Sequence, residues 1–232
     1  MATTAQDLLI LLLPNLCGPD LKMLFDFLLN SDVLNCKDNG VQKRGYKILT
    51  KGIESGQFDV DVESTLKRIE KLADGLIVVA KKVCGPSLRK NHCNTSQDRF
   101  NLLTVLIPRL KPTALHAIPS LLPEAVLGTK EPSERARTAA FDLIVAMGKR
   151  MNAGGVVKRG LVDGMDEDGA KDTPANIEEF MTMVAGGLAG ATPHMISATV
   201  TAISRIVFEF KSEPYPFVVC RLINWRDRRD LV

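Results

Sequence analysis

Asn39-Gly-Val-Gln-Lys-Arg-Gly-Tyr-Lys-Ile-Leu49 follows a turn and opens a helix in a recognisable way, with small residues placed ahead of larger apolar ones. Ser133-Glu-Arg-Ala-Arg-Thr-Ala-Ala-Phe-Asp-Leu-Ile144 and Pro193-His-Met-Ile-Ser-Ala-Thr-Val-Thr-Ala-Ile203 repeat the arrangement. Small side chains at such positions let a neighbouring helix come close. Matching Val41 with Ala136 and Ser197 gives intervals of 95 and 61 residues.

The first interval is about two units of 47, and the second is about one unit of 40 carrying a polar insertion; helix-pair repeats of about 40–47 residues mark HEAT and armadillo solenoids. The spacing therefore predicts an all-α chain, a HEAT/armadillo-like α-solenoid of about four to five helix pairs with an acidic loop insertion. Residues 1–211 would hold the repeats, 152–175 a flexible acidic insert and 212–232 a poorly ordered tail. A solenoid presents its surface to other macromolecules, which points to a scaffold and not to a catalyst.

Composition agrees with that class. The 232 residues are 45% hydrophobic and 25% charged but only 5% aromatic, a balance suited to stacked helices that interdigitate aliphatic side chains. Five scattered cysteines (Cys17, Cys36, Cys84, Cys93 and Cys220) are odd in number, which argues against a disulfide framework and for a reducing compartment. The apolar run Leu8–Leu13 has no basic residue before it and stops at Pro14. It is too short to span a bilayer and does not read as a signal peptide.

Charge is unevenly spread. Cys36 to Pro112 holds 15 Lys/Arg against 8 Asp/Glu, whereas the net charge of the whole chain is only +3. Within this window Lys43, Arg44 and Lys47 share one helix, and Lys81, Lys82, Arg89 and Lys90 flank the Gly85-Pro86 turn. Lys and Arg bind phosphate through charge and forked hydrogen bonds without reading bases, and the shortage of aromatics for stacking points to backbone-directed RNA contact. A solvated helix face is the competing reading of the same charges.

The helices can be placed by their punctuation. One runs from about Thr4 to Leu13; a second starts at Gly18-Pro19-Asp20 with Leu21, Leu24, Phe25 and Leu28 on one stripe. Asp38-Asn39-Gly40 is a turn and cap for a helix to about Glu54. Val62, Leu66, Ile69, Ala73, Leu76, Ala80 and Val83 form an apolar seam. Thr95 or Ser96 caps a helix whose Phe100, Leu103, Ile107 and Leu110 share a face. Pro112, Pro119 and Pro123 argue against an unbroken helix before Gly128. Ala136, Ala140, Leu143, Ile144 and Met147 form the stripe of the next helix. The glycine- and acid-rich stretch Asn152–Ala175 shows no apolar period and reads as a mobile loop. Helices return at about Asn176–Leu188 and at Pro193–Phe210.

Sites with sharper chemistry are not supported. Cys84, His92 and Cys93 supply three candidate zinc ligands where a structural site needs four. His116 and His194 lack a nucleophile-and-carboxylate arrangement. Asp166-Glu-Asp168-Gly169 lacks the closing Glu of a calcium loop, and neither Gly154-Gly155 nor Gly186-Gly187 has the ending of a phosphate loop. No catalytic residue, cofactor or metal is predicted.

Asp38–Leu49, Leu122–Glu131 with Arg137–Gly148, and Gly187–Lys211 with its closing Phe208-Glu-Phe-Lys211 resemble fungal members of the ribosomal RNA processing protein twelve family. The resemblance runs from about Asp7 to Lys211. It implies an internal piece of a long HEAT-like solenoid and a non-enzymatic role in pre-ribosomal RNA processing and small-subunit assembly. It also implies partners among pre-ribosomal RNA, small-subunit precursor particles and Ran/exportin-type transport factors, with a nuclear and nucleolar location and shuttling to the cytoplasm. No membrane or small-molecule substrate is implied. A karyopherin-like nuclear-transport adaptor that binds proteins only is the alternative. The tail after Lys211 departs from the family, so Phe208 and Phe210 are expected to lack cover.

Overall fold

The computed structural model describes residues 2–29, 31–34, 36, 38–58, 61, 64–66, 96–159, 171–189 and 192–210. The chain divides into two compact units, Met1–Arg109 and Leu110–Val232. The described residues are mostly helical, with one small antiparallel sheet.

In the first unit, α1 (Ala2–Leu12) runs into a 3-10 turn at Leu13–Asn15, where Pro14 stops the helix. Helix α2 (Gly18–Leu28) begins with Pro19, whose missing N–H had no helical partner to lose. After the short α3 (Ser31–Leu34), Asp38 caps α4 (Asn39–Glu54): its carboxylate accepts the Gly40 N–H at 2.7 Å. The cap and the Glu54 end fall where the sequence places them. Helix α5 (Ser96–Leu106) follows, and a 3-10 turn at Ile107–Arg109 ends it at Pro108.

Helix α4 is the centre of this unit, touching α1, α2, α3 and α5. Tyr46, Leu49 and Ile53 from α4 meet Phe100, Leu102, Leu103 and Leu106 from α5 in a core that excludes water. The Arg109 guanidinium donates to the Ile53 carbonyl at 2.8 Å, a second donor to an acceptor that also takes the Gly56 N–H at 3.1 Å. Of the seam Val62–Val83, Leu66 is described and is buried; the other six positions lie outside the described residues.

In the second unit, α6 (Ala117–Gly128), α7 (Glu134–Asn152), α8 (Ile177–Ala185) and α9 (Pro193–Phe210) pack on one another. Helix α6 corrects the sequence reading: it is continuous through Pro123. Pro119 sits in the first turn, where N–H groups lack partners anyway, and Pro123 removes a single hydrogen bond. Burial of Ile118, Leu121, Leu122, Ala125 and Val126 offsets that loss. All five predicted stripe residues of α7, Ala136 to Met147, are fully buried.

The stretch read as a mobile acidic loop also has structure at its ends. Helix α7 extends to Asn152, and Val156–Arg159 (β1) pairs antiparallel with Lys171–Pro174 (β2), Val156 opposite Pro174 and Arg159 opposite Lys171. The intervening 160–170 lie outside the described residues. Strands of four residues are too short to show a period, and their β-branched signal is limited to Val156-Val157 and Thr173. The hairpin is tied to the chain before α6: the Val156 N–H donates to the Pro112 carbonyl at 2.9 Å. Arg150 donates from Nε to the Leu110 carbonyl at 2.9 Å and from Nη1 to the Gly154 carbonyl at 3.0 Å.

Helices α7 and α9 run parallel. Phe141 lies beside Arg205, and eight residues on Lys149 meets Glu209 at 3.3 Å. Gly148 carries the closest approach, because a β-carbon there would lie 2.8 Å from Cζ of Phe210 and 3.1 Å from Cε1 of Phe180. Phe210 is therefore packed, contrary to expectation, while Phe208 is 72% exposed. Gly148→Ala should lower stability by about 1–3 kcal/mol through overpacking. Gly186→Ala, where nothing lies within 4 Å, should cost clearly less. Urea denaturation of both variants measures the difference.

Candidate nucleic-acid interface

Asp38 starts α4 so that its first three turns present Lys43, Arg44 and Lys47. Lys43 and Lys47 are four residues apart and share a face. Lys47 is exposed, whereas Lys43 and Arg44 are half-buried. The Arg44 guanidinium folds back over the helix start. Its Nη1 would lie 3.3 Å from a β-carbon at Gly40, on the side where Asp38 Oδ1 would lie 3.0 Å away. Lys81, Lys82, Arg89 and Lys90 lie outside the described residues, as do Cys84, His92 and Cys93.

The sequence reading missed Asp98. It stands in the first turn of α5, is only 8% exposed, and feels the positive charges of Lys47 and Lys43 across the α4–α5 contact. Burial raises its carboxyl above the usual 3.8, and the two lysines pull it back without cancelling the rise. The basic face of α4 thus carries an internal counter-charge, and part of its field is spent inside the protein. No sequence signal announces this, since it depends on which turn of α5 packs against α4.

His116 immediately precedes α6, and His194 is exposed in the first turn of α9. Among the described residues no three His, Cys, Asp or Glu side chains gather in a way that could hold a metal ion. Among them, too, no helix is long and apolar enough to cross a membrane.

What the structure defines is a mostly helical protein whose candidate site is a charged helix face. No family model matches the chain. It is 32% identical over 227 residues to the putative ribosomal RNA-processing protein 12 of Schizosaccharomyces pombe, matching 97% of this chain and 17% of that protein. It is 28% identical over 214 residues to ribosomal RNA-processing protein 12 of Saccharomyces cerevisiae, with 92% of this chain and 16% of that protein matched. The human RRP12-like protein is 29% identical over 180 residues, 77% of this chain and 12% of its own length. The chain is therefore a homologue of one segment of the ribosomal RNA-processing protein 12 proteins, as the resemblance of its residues implied. It spans less than a fifth of the length of these curated relatives.

Asp98 makes a pH prediction with a definite sign. A carboxyl whose folded-state pKa is raised binds its proton more tightly when folded. Its contribution favours folding below the unfolded value near 3.8 and is lost as pH rises through the folded pKa. The melting temperature of the wild type should therefore gain on that of Asp98→Asn as pH is lowered from 7 towards 4. A difference that does not vary with pH would show the carboxylate to be solvated.

Proposed function

We propose that the chain is a HEAT/armadillo-type segment that acts, without catalysing a reaction, as a scaffold in pre-ribosomal RNA processing and small-subunit assembly and export. The observation that carries the proposal is the similarity, over 97% of the chain, to a putative ribosomal RNA-processing protein. The helical architecture supports the repeat reading. Helices α7 and α9 are parallel with α8 between them, the alternation that stacked helix pairs produce. The β-hairpin accounts for the long second interval: without its roughly twenty residues, the 61 between Ala136 and Ser197 fall to about 40, one ordinary repeat.

In this reading the α4 face contacts RNA through phosphate, with Lys47 outermost and Lys43 and Arg44 behind it. Lys81, Lys82, Arg89 and Lys90, in the same basic window of sequence, are proposed to share that RNA contact. Pre-ribosomal RNA and small-subunit precursor particles are the partners, together with transport factors of the Ran and exportin type, in the nucleus and nucleolus and in shuttling to the cytoplasm. A protein-only transport adaptor is the rival, and the attraction of Asp98 on Lys47 and Lys43 favours it to the extent that it weakens the basic face of α4.

The two separate in one titration. Changing Lys43, Arg44 and Lys47 together to Ala should weaken binding of a single-stranded RNA about tenfold or more and flatten its log–log salt slope by about 2, since each lost phosphate contact on a single strand removes about 0.7. Fluorescence anisotropy across a salt series reads both quantities. Unchanged affinity and slope would remove α4 from the RNA surface. Binding to a GTP-loaded Ran complex with no RNA affinity would establish the adaptor.

A further inference from the structure

Arg205, on α9, is held in an unusual setting. Its guanidinium carbon lies 6.0 Å from the centre of the Phe141 ring on α7 and 5.8 Å from that of Phe208, one turn along its own helix. Both distances are within the reach of cation–π attraction. The rings accept no N–H hydrogen bond in the guanidinium plane, and the buried Nε has no acceptor among the described residues. Glu209, four residues on, is correctly spaced to pair with Arg205, yet its carboxylate is taken by Lys149 at 3.3 Å. Phe208 is 72% exposed, and Val200, two turns earlier on α9, is 46% exposed.

We propose that the Phe141–Arg205–Phe208 cluster is a docking site for a protein partner that presents a carboxylate beside an apolar side chain. A guanidinium already fixed between rings loses little rotamer freedom on binding, and its planar fork matches a carboxylate. A carboxylate reaching it forms charge-assisted hydrogen bonds in a partly dry setting, where they are strongest. The neighbouring apolar group covers Phe208, a surface that costs free energy while it faces water. Pairing an aromatic anchor with an arginine is the composition of energetically dominant interface residues.

The charges around the cluster select protein over RNA. Phosphate-backbone binding needs several unpaired cations, because it gains from releasing many counterions. Among the described residues, Lys149 is occupied by Glu209 and exposed Asp142 adjoins Phe141, so Arg205 lies in a mixed-sign surface. The site lies in the second unit and does not depend on the α4 ridge being an RNA surface.

The test uses the full chain and a fluorescein-labelled peptide of alternating Glu and Leu, with matched peptides carrying Gln for Glu or Ser for Leu. The Glu–Leu peptide should bind, and both matched peptides should bind at least about tenfold more weakly. Phe208→Ala and Arg205→Gln should each weaken binding by about tenfold or more, and Arg205→Lys should recover only part, because an ammonium lacks the fork. Phe208 is mostly exposed, so its replacement leaves the fold standing, which circular dichroism verifies for every variant. Absence of peptide binding, or binding that survives Arg205→Gln, overturns the proposal. It is equally overturned if Arg205→Gln releases an oligouridylate that the wild type binds in preference to the peptide.

Discussion

The distance between helices is the constraint on which the described structure depends, and it is set by positions that tolerate almost no side chain. Gly45 lies on α4 where a β-carbon would come within 2.8 Å of Val33 Cγ1, so a side chain there would push against α3. Gly148 serves α7 in the same way, admitting the rings of Phe180 and Phe210. On α9 the equivalent work is done by methyl groups, with Ala198 and Ala202 fully buried. Close-packed interiors transmit such constraints, because no slack exists to absorb an added carbon. The small residues that drew attention in Asn39–Leu49, Ser133–Ile144 and Pro193–Ile203 are thus the residues that decide where helices touch.

That is why so much of the fold was legible. Caps and breakers act within a few residues, so Asp38 at the start of α4, Asn176 at the start of α8 and Pro14 after α1 could be read directly. The 3.6-residue stripe of α7 is equally local, and all its members are buried. The errors arose where the outcome depended on distant partners. Proline in α6 argues for a break until the burial of its flanking residues is counted. The hairpin is invisible as a pattern because its strands are four residues long, and it is held by Arg150 and by Pro112, which precedes α6. Phe210 was expected to lack cover because the tail departs from the family, but its ring lies against α7 at Gly148, which has no side chain to mark the contact.

The candidate site divides along the same line. Three lysines and arginines on one helix face could be read from spacing alone. Their usable charge could not, because Asp98 comes from a helix that begins more than forty residues beyond the end of α4. A basic count over a sequence window overstates the field at a surface whenever a buried acid faces the same residues. Lys47 is exposed and Lys43 half-buried, and both act on Asp98, Lys47 the more strongly. An RNA surface on α4 therefore has fewer effective cations than its sequence advertises.

The opposite holds at Arg205. In the sequence it is one arginine in an apolar helix, with Glu209 at the spacing that would neutralise it. The parallel packing of α7 and α9 changes that assignment, since it brings Lys149 to Glu209 and Phe141 to Arg205. Tertiary contact thus sets Asp98 against Lys47 and Lys43 and leaves the Arg205 Nε without a partner among the described residues. The same close approach of helices that builds the core decides both.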